Sequence, residues 1–166
     1  MKIAKNYKNI IQQIKNSLKS GFPISCIGMF DSGVDYLFGL INLGDYLKSD
    51  FTVIPIDLSN KGDSFTDTLK AVDAGFSIQI KRHKAILSLD DAWINLNKLA
   101  KKKTVLFLFY FGYKDRLNEE FFEAFLQWRF LLGTKINWVI CATYGLINTI
   151  PRKNHIYDGY VIMLMR

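Results

Sequence analysis

Residues 26–41 read CIGMFDSGVDYLFGLI. An apolar stretch runs into Gly28, four residues follow, and Gly33 opens a segment with Leu37, Leu40 and Ile41 at helical spacing. That is the frame of a phosphate-binding loop between a strand and a helix. Such a loop works through two devices. Backbone N–H groups at the helix N-terminus wrap a phosphate, which the helix dipole favours. A lysine after the second glycine then reaches the outer phosphates, and the hydroxyl beside it binds Mg²⁺. Here Val34 and Asp35 hold those two places. Val34 brings no charge, Asp35 adds a negative one, and Asp31 lies in the same loop. At an effective dielectric of about 20, two like unit charges about 4 Å apart repel by about 4 kcal/mol before screening. The same residues suit an empty loop. Asp31 or Ser32 is expected to cap the helix, and Asp35 in its first turn to complement the dipole.

Upstream, Ile3, Tyr7, Ile10, Ile11, Ile14 and Leu18 recur at steps of three and four, so residues 3–19 are expected to form an amphipathic helix ended by Gly21 and Pro23. Residues 24–30 are the first strand, and the helix after the loop is expected over 33–48. FTVIPIDL (51–58) is a second strand, in which Pro55 argues against a central, fully paired position. Asp63 or Ser64 caps a helix running to Val72, and Ser88, with Asp91 three residues on, starts another. TVLFLFYF (104–111) is a third strand, followed by a helix over 118–132 whose Phe121, Phe122, Phe125 and Trp128 share a face. Strands over 136–143 and 159–165 complete the chain. Continuous apolar strands alternating with helices are buried on both faces. The expectation is a single domain, residues 1–166, of three layers α/β/α with a mostly parallel five-stranded sheet over 24–165 and no lid after the fifth strand.

The chain of 166 residues is 49% apolar and 14% aromatic, which fits a folded domain with one sizeable core. No apolar run approaches the roughly 18–20 residues that span a bilayer, so no membrane partner is expected. The N-terminus has no apolar signal region, and Cys26 and Cys141 both lie in apolar runs. They read as buried small hydrophobes of a reducing compartment, the cytoplasm. His83 and His155 lack neighbouring ligand residues, so no metal is expected, and Ser32 in GMFDSGV is not a nucleophile elbow. A net charge of +7 and two basic clusters, Lys81, Arg82 and Lys84, then Lys101, Lys102 and Lys103, raise nucleic acid as a partner. A solvated loop and a lysine-rich helix end account for the same residues.

The whole pattern, over roughly residues 3–165, resembles the ATPase core of the AAA+ and STAND type of P-loop NTPase. GFPISCIGMFDSG looks like the lead-in to the Walker A loop, PIDL like the end of the second strand, and TVLFLFYFGYKDRLNEEFF like the Walker B strand with its helix. KINWVICAT looks like the strand carrying the sensor residue. The resemblance implies a cofactor-binding region of Gly28, Asp31, Ser32, Gly33, Val34 and Asp35, with Thr143 in the sensor place. It also implies an acidic pair ending the third strand, where this chain has Tyr110 and Phe111. Phosphoryl transfer depends on the lysine, the magnesium ligand and the base, and all three are altered. The expectation is a domain without catalytic residues or bound Mg²⁺ that acts through a protein partner or a homo-oligomer. ATP or ADP held by the residual loop is the alternative. Tyr110, Phe111 and Tyr113 are expected at the carboxyl edge of the sheet, plugging the pocket or facing a partner.

Overall fold

In a computed structural model, the residues described are 2–28, 32–81, 84–143, 145–146 and 160–164. The elements follow the expected order: α1 (Lys2–Lys19), β1 (Ile24–Gly28), α2 (Val34–Leu43), β2 (Thr52–Asp57), α3 (Phe65–Gln79), α4 (Leu89–Ala100), β3 (Val105–Tyr110), α5 (Glu119–Leu132), β4 (Ile136–Thr143) and β5 (Tyr160–Leu164). Two helices differ from the sequence expectation. α2 stops at Leu43 because Gly44 adopts an extended backbone, and Leu47 is buried from the turn that follows. α3 runs seven residues past Val72, to Gln79, because Phe76 continues its buried face.

The strands stand in the order β2-β3-β4-β1-β5, and every pairing is parallel. Side chains alternate between two apolar faces, which is why the strands read as unbroken hydrophobic runs. Val105, Phe107 and Phe109 face a core shared with α3, α4 and α5. Leu106 and Leu108 face a second core with α1 and α2. The result is the three-layer α/β/α arrangement. Phe121, Phe122 and Phe125 are fully buried against the sheet, with Trp128 beside them.

Pro55 sits on the edge strand, and its geometry explains its presence there. The N–H groups of Thr52 and Leu58 donate to β3 and its flank, so the even-numbered residues of β2 face inward. Pro55 therefore lacks its N–H on the outer side, where no ladder partner exists. α3 seals that side: Gln79 Nε2 donates to the Val53 carbonyl at 2.6 Å, and Gly75 brings the helix against the Pro55 carbonyl.

The caps read from sequence are in place for α3 and α4, and Asn118 caps α5 in the same way. Ser64, Ser88 and Asn118 accept from the N–H of Asp67, Asp91 and Phe121. The Asp91 carboxylate reaches back to the Leu87 N–H at 3.1 Å, one residue ahead of the usual capping-box partner, and this bond holds its carboxyl below the usual range. Ser88→Ala is expected to lower stability by about 1 kcal/mol, read as a fall in urea midpoint at unchanged slope.

Candidate functional site

The loop after β1 lies at the carboxyl edge of the sheet, where open α/β sheets place ligands. Gly28 must be glycine for space. A Cβ there would stand 1.8 Å from Ser32 Oγ and 2.6 Å from Val34 Cγ2. Gly33 is the N-cap of α2 with φ 86° and ψ 20°, a left-handed conformation suited to glycine. This corrects the expected cap. Ser32 makes no capping hydrogen bond, because the left-handed turn at Gly33 puts it one residue too early; Asp31 lies outside the described residues. Asp35 does stand in the first turn, exposed.

The structure brings Ser32, Gly33, Val34 and Asp35 together with Tyr110, Gly112, Tyr113 and Thr143 around a cavity of about 10 Å³. That is room for about one water molecule. Among the described residues no lysine or arginine is in the lining. Lys114, next in sequence to Tyr113, is held elsewhere, by Asp63 at 2.7 Å and by the Lys61 carbonyl. Asp57, at the end of β2, accepts from the N–H and hydroxyl of Ser59 at 2.9 and 2.5 Å.

Two tyrosines close the site. Tyr110 ends β3 and stacks on Phe38 of α2, with ring centroids 4.7 Å apart. Tyr7 reaches over from α1, its hydroxyl donating to the Gly33 carbonyl at 3.4 Å and its ring meeting Tyr36 edge-on at 4.9 Å. Burial, then the Asp35 carboxylate, pushes both hydroxyls above the usual tyrosine range, so both stay neutral donors at physiological pH. Phe111 is buried, whereas Tyr113 and Tyr36 are 60% and 50% exposed. Ser32 Oγ is buried without a hydrogen-bond partner.

Sequence reasoning assigned Tyr7 only to the apolar stripe of α1. Its one legible signal was a phenol on a buried face, which needs a polar partner. Cys26 and Cys141 are buried, free and directly opposite each other on β1 and β4. Their mutual hydrogen bond and burial push the Cys141 thiol well above its usual range, which makes it inert. Among the described residues no group of acidic, histidine or cysteine side chains is placed to hold a metal ion, and no helix is long and apolar enough to cross a membrane. Arg82, His83, Arg152 and His155 lie outside the described residues. Lys81, Lys84, Lys101 and Lys102 are exposed, and Lys103 is partly buried.

No protein-family model and no curated protein sequence matches the chain. Solved structures do. The chain is similar to Drosophila ORC bound to DNA, with a TM-score of 0.65 and 11% identity over 97% of this chain and 30% of that one. It is similar to Drosophila ORC bound to GC-rich DNA and Cdc6, with a TM-score of 0.64 and 9% identity over 98% and 29%. A third likeness is to Drosophila ORC bound to poly(dA/dT) DNA and Cdc6, with a TM-score of 0.65 and 12% identity over 97% and 29%. This chain spans less than a third of the length of each of these three. At such identities the likeness concerns the fold alone.

Proposed function

We propose that this AAA+-like domain is non-catalytic and acts by holding partners, a protein partner foremost, without hydrolysing ATP. One observation carries the reading. Where a nucleotide's phosphates lie in this fold, at the start of α2, the described residues leave about 10 Å³ and present Val34, Asp35 and Tyr110 in place of cations and metal ligands. Phosphoryl transfer consists largely of positioning and charge neutralisation, and this lining supplies neither. Mg²⁺ does not fit the donor set either, since Tyr110 and Phe111 hold the positions at which carboxylates would bind it. The exposed Tyr36 and Tyr113 beside the closed loop are of a residue type concentrated in protein interfaces.

A second reading is favoured by the unpartnered Ser32 hydroxyl, which lies beside the α2 N-terminus as an anion ligand would require. On that reading the loop retains ATP or ADP through backbone N–H groups once Tyr7 swings away. Thermal unfolding with millimolar ATP or ADP, with and without Mg²⁺, separates the two. The first reading expects no shift and no ATP turnover above a protein-free blank. A ligand at 100 times its Kd adds about 2.7 kcal/mol, a rise of a few degrees. Such a rise, lost in Ser32→Ala, establishes the second reading. Ser32→Ala is the better probe than Gly33→Val, because a Cβ at Gly33 would stand 2.0 Å from the Tyr7 hydroxyl in a left-handed backbone.

A further inference from the structure

We propose that the amino edge of the sheet, opposite the closed loop, binds single-stranded nucleic acid. All the strands are parallel, so all begin at this edge. Lysines stand in the approach to four of them: Lys48 before β2, Lys101 to Lys103 before β3, Lys135 immediately before β4, and Lys19 before β1. The strand order β2-β3-β4-β1 sets these approaches side by side. At about 4.8 Å per strand the row spans about 14 Å.

Contacts tie the row together. Lys103 Nζ donates to the Lys48 carbonyl at 2.7 Å, and Arg129 bridges the carbonyls of Gly21 and Ile136. Asp50 is already bridged by Lys15 and Lys19 at 3.2 and 3.7 Å, and Asp45 by Lys48 at 3.7 Å. Lys101, Lys102 and Lys135 are exposed and have no ion-pair partner among the described residues. Phosphate neutralisation by such lysines supplies sequence-independent affinity. By contrast, the carboxyl edge carries Asp35 and Asp57, which disfavours a polyanion.

Two exposed rings argue for a single strand over a duplex. Phe22 and Phe130 are 50% and 88% exposed. Phe22 follows Gly21 and Phe130 follows Arg129, and Arg129 donates to the Gly21 carbonyl, so the backbone at both positions lies at the β4–β1 end of the lysine row. Beside Phe22, a groove of about 430 Å³ between α1 and β5 is lined by Gln13, Asn16 and Ser20, whose amides and hydroxyl suit the edge of an unstacked base. This inference goes beyond the function proposed above and does not depend on it, since nucleotide at the carboxyl edge leaves these lysines untouched.

The test is fluorescence anisotropy of labelled oligo(dT) of about 20 nucleotides, followed as a function of salt, on variants matched beforehand by thermal melting. K101E/K102E/K135E is expected to weaken binding more than tenfold and to reduce the slope of log affinity against log salt by about 2, at about 0.7 per phosphate contact. F130A is expected to weaken it about tenfold with little change in slope. K8E/K61E/K70E makes the same charge change away from the amino edge and is expected to have a much smaller effect. No binding by the unaltered protein at low salt overturns the proposal. So does an equal loss in both triple variants, which assigns the effect to overall charge. Binding a duplex of the same length as tightly as the single strand overturns the stacking assignment.

Discussion

Phe125→Ala is expected to cost about 3–5 kcal/mol, a large share of the roughly 5–15 kcal/mol that holds a domain folded. The ring is fully buried and lies within 5.1 to 5.3 Å of the ring centroids of Phe107, Phe109 and Trp138. Further ring contacts join it to Phe121, Phe122 and Trp128. Truncation loses the transfer energy of the ring and leaves a hole lined by rigid aromatic groups, which collapse poorly into it. Urea unfolding followed by tryptophan fluorescence measures the loss. Phe130→Ala, five residues along and 88% exposed, is the control and is expected within about 0.5 kcal/mol of the unaltered protein. Equal effects at the two positions remove the assignment of the α3–α5 face as the main core.

Gly75→Val is expected to destabilise by about 3 kcal/mol, for a different reason. A Cβ on Gly75 would stand 2.4 Å from the Pro55 carbonyl oxygen and 3.0 Å from Ile54 Cγ2. A backbone oxygen cannot rotate aside, so α3 must lift from β2 and carry Phe76 and the Gln79 bond with it. Gly39, in α2, meets nothing within 4 Å. There, alanine is expected to stabilise by about 0.5–1 kcal/mol through helix propensity alone. Paired thermal melts of the two variants check both signs. A Gly75 variant as stable as the unaltered protein contradicts the close approach of α3.

The fold was readable because its strands are buried on both faces. A run such as VLFLFY has few other uses, and the serine caps sit where their hydrogen bonds form. Helix ends read less well. The stop of α2 depends on Gly44 leaving the helix while Leu47 stays buried, and periodicity alone cannot separate those two facts. The loop was half readable. Val34 and Asp35 after the second glycine are plain in one dimension, but Ser32 does not cap the helix, since nothing local announces a left-handed Gly33. The closing of the site by Tyr7 joins residues 26 apart in sequence, a contact that tertiary packing alone creates. The lysine row is hidden for the same reason: its members come from four separate turns, gathered by strand order.

The treatment of β2 has a bearing on assembly. Its outer flank offers the proline without an N–H, a carbonyl already taken by Gln79 and a helix pressed against it. β5 pairs with β1 on one side, and its Val161 and Met163 are each 49% exposed. Among the described residues a backbone ladder can therefore be extended from one flank alone. If two copies joined β5 to β5, the join would use up every open ladder and growth would end at a pair. A chain rich in apolar strands is thereby kept from adding copy after copy into a filament by edge pairing.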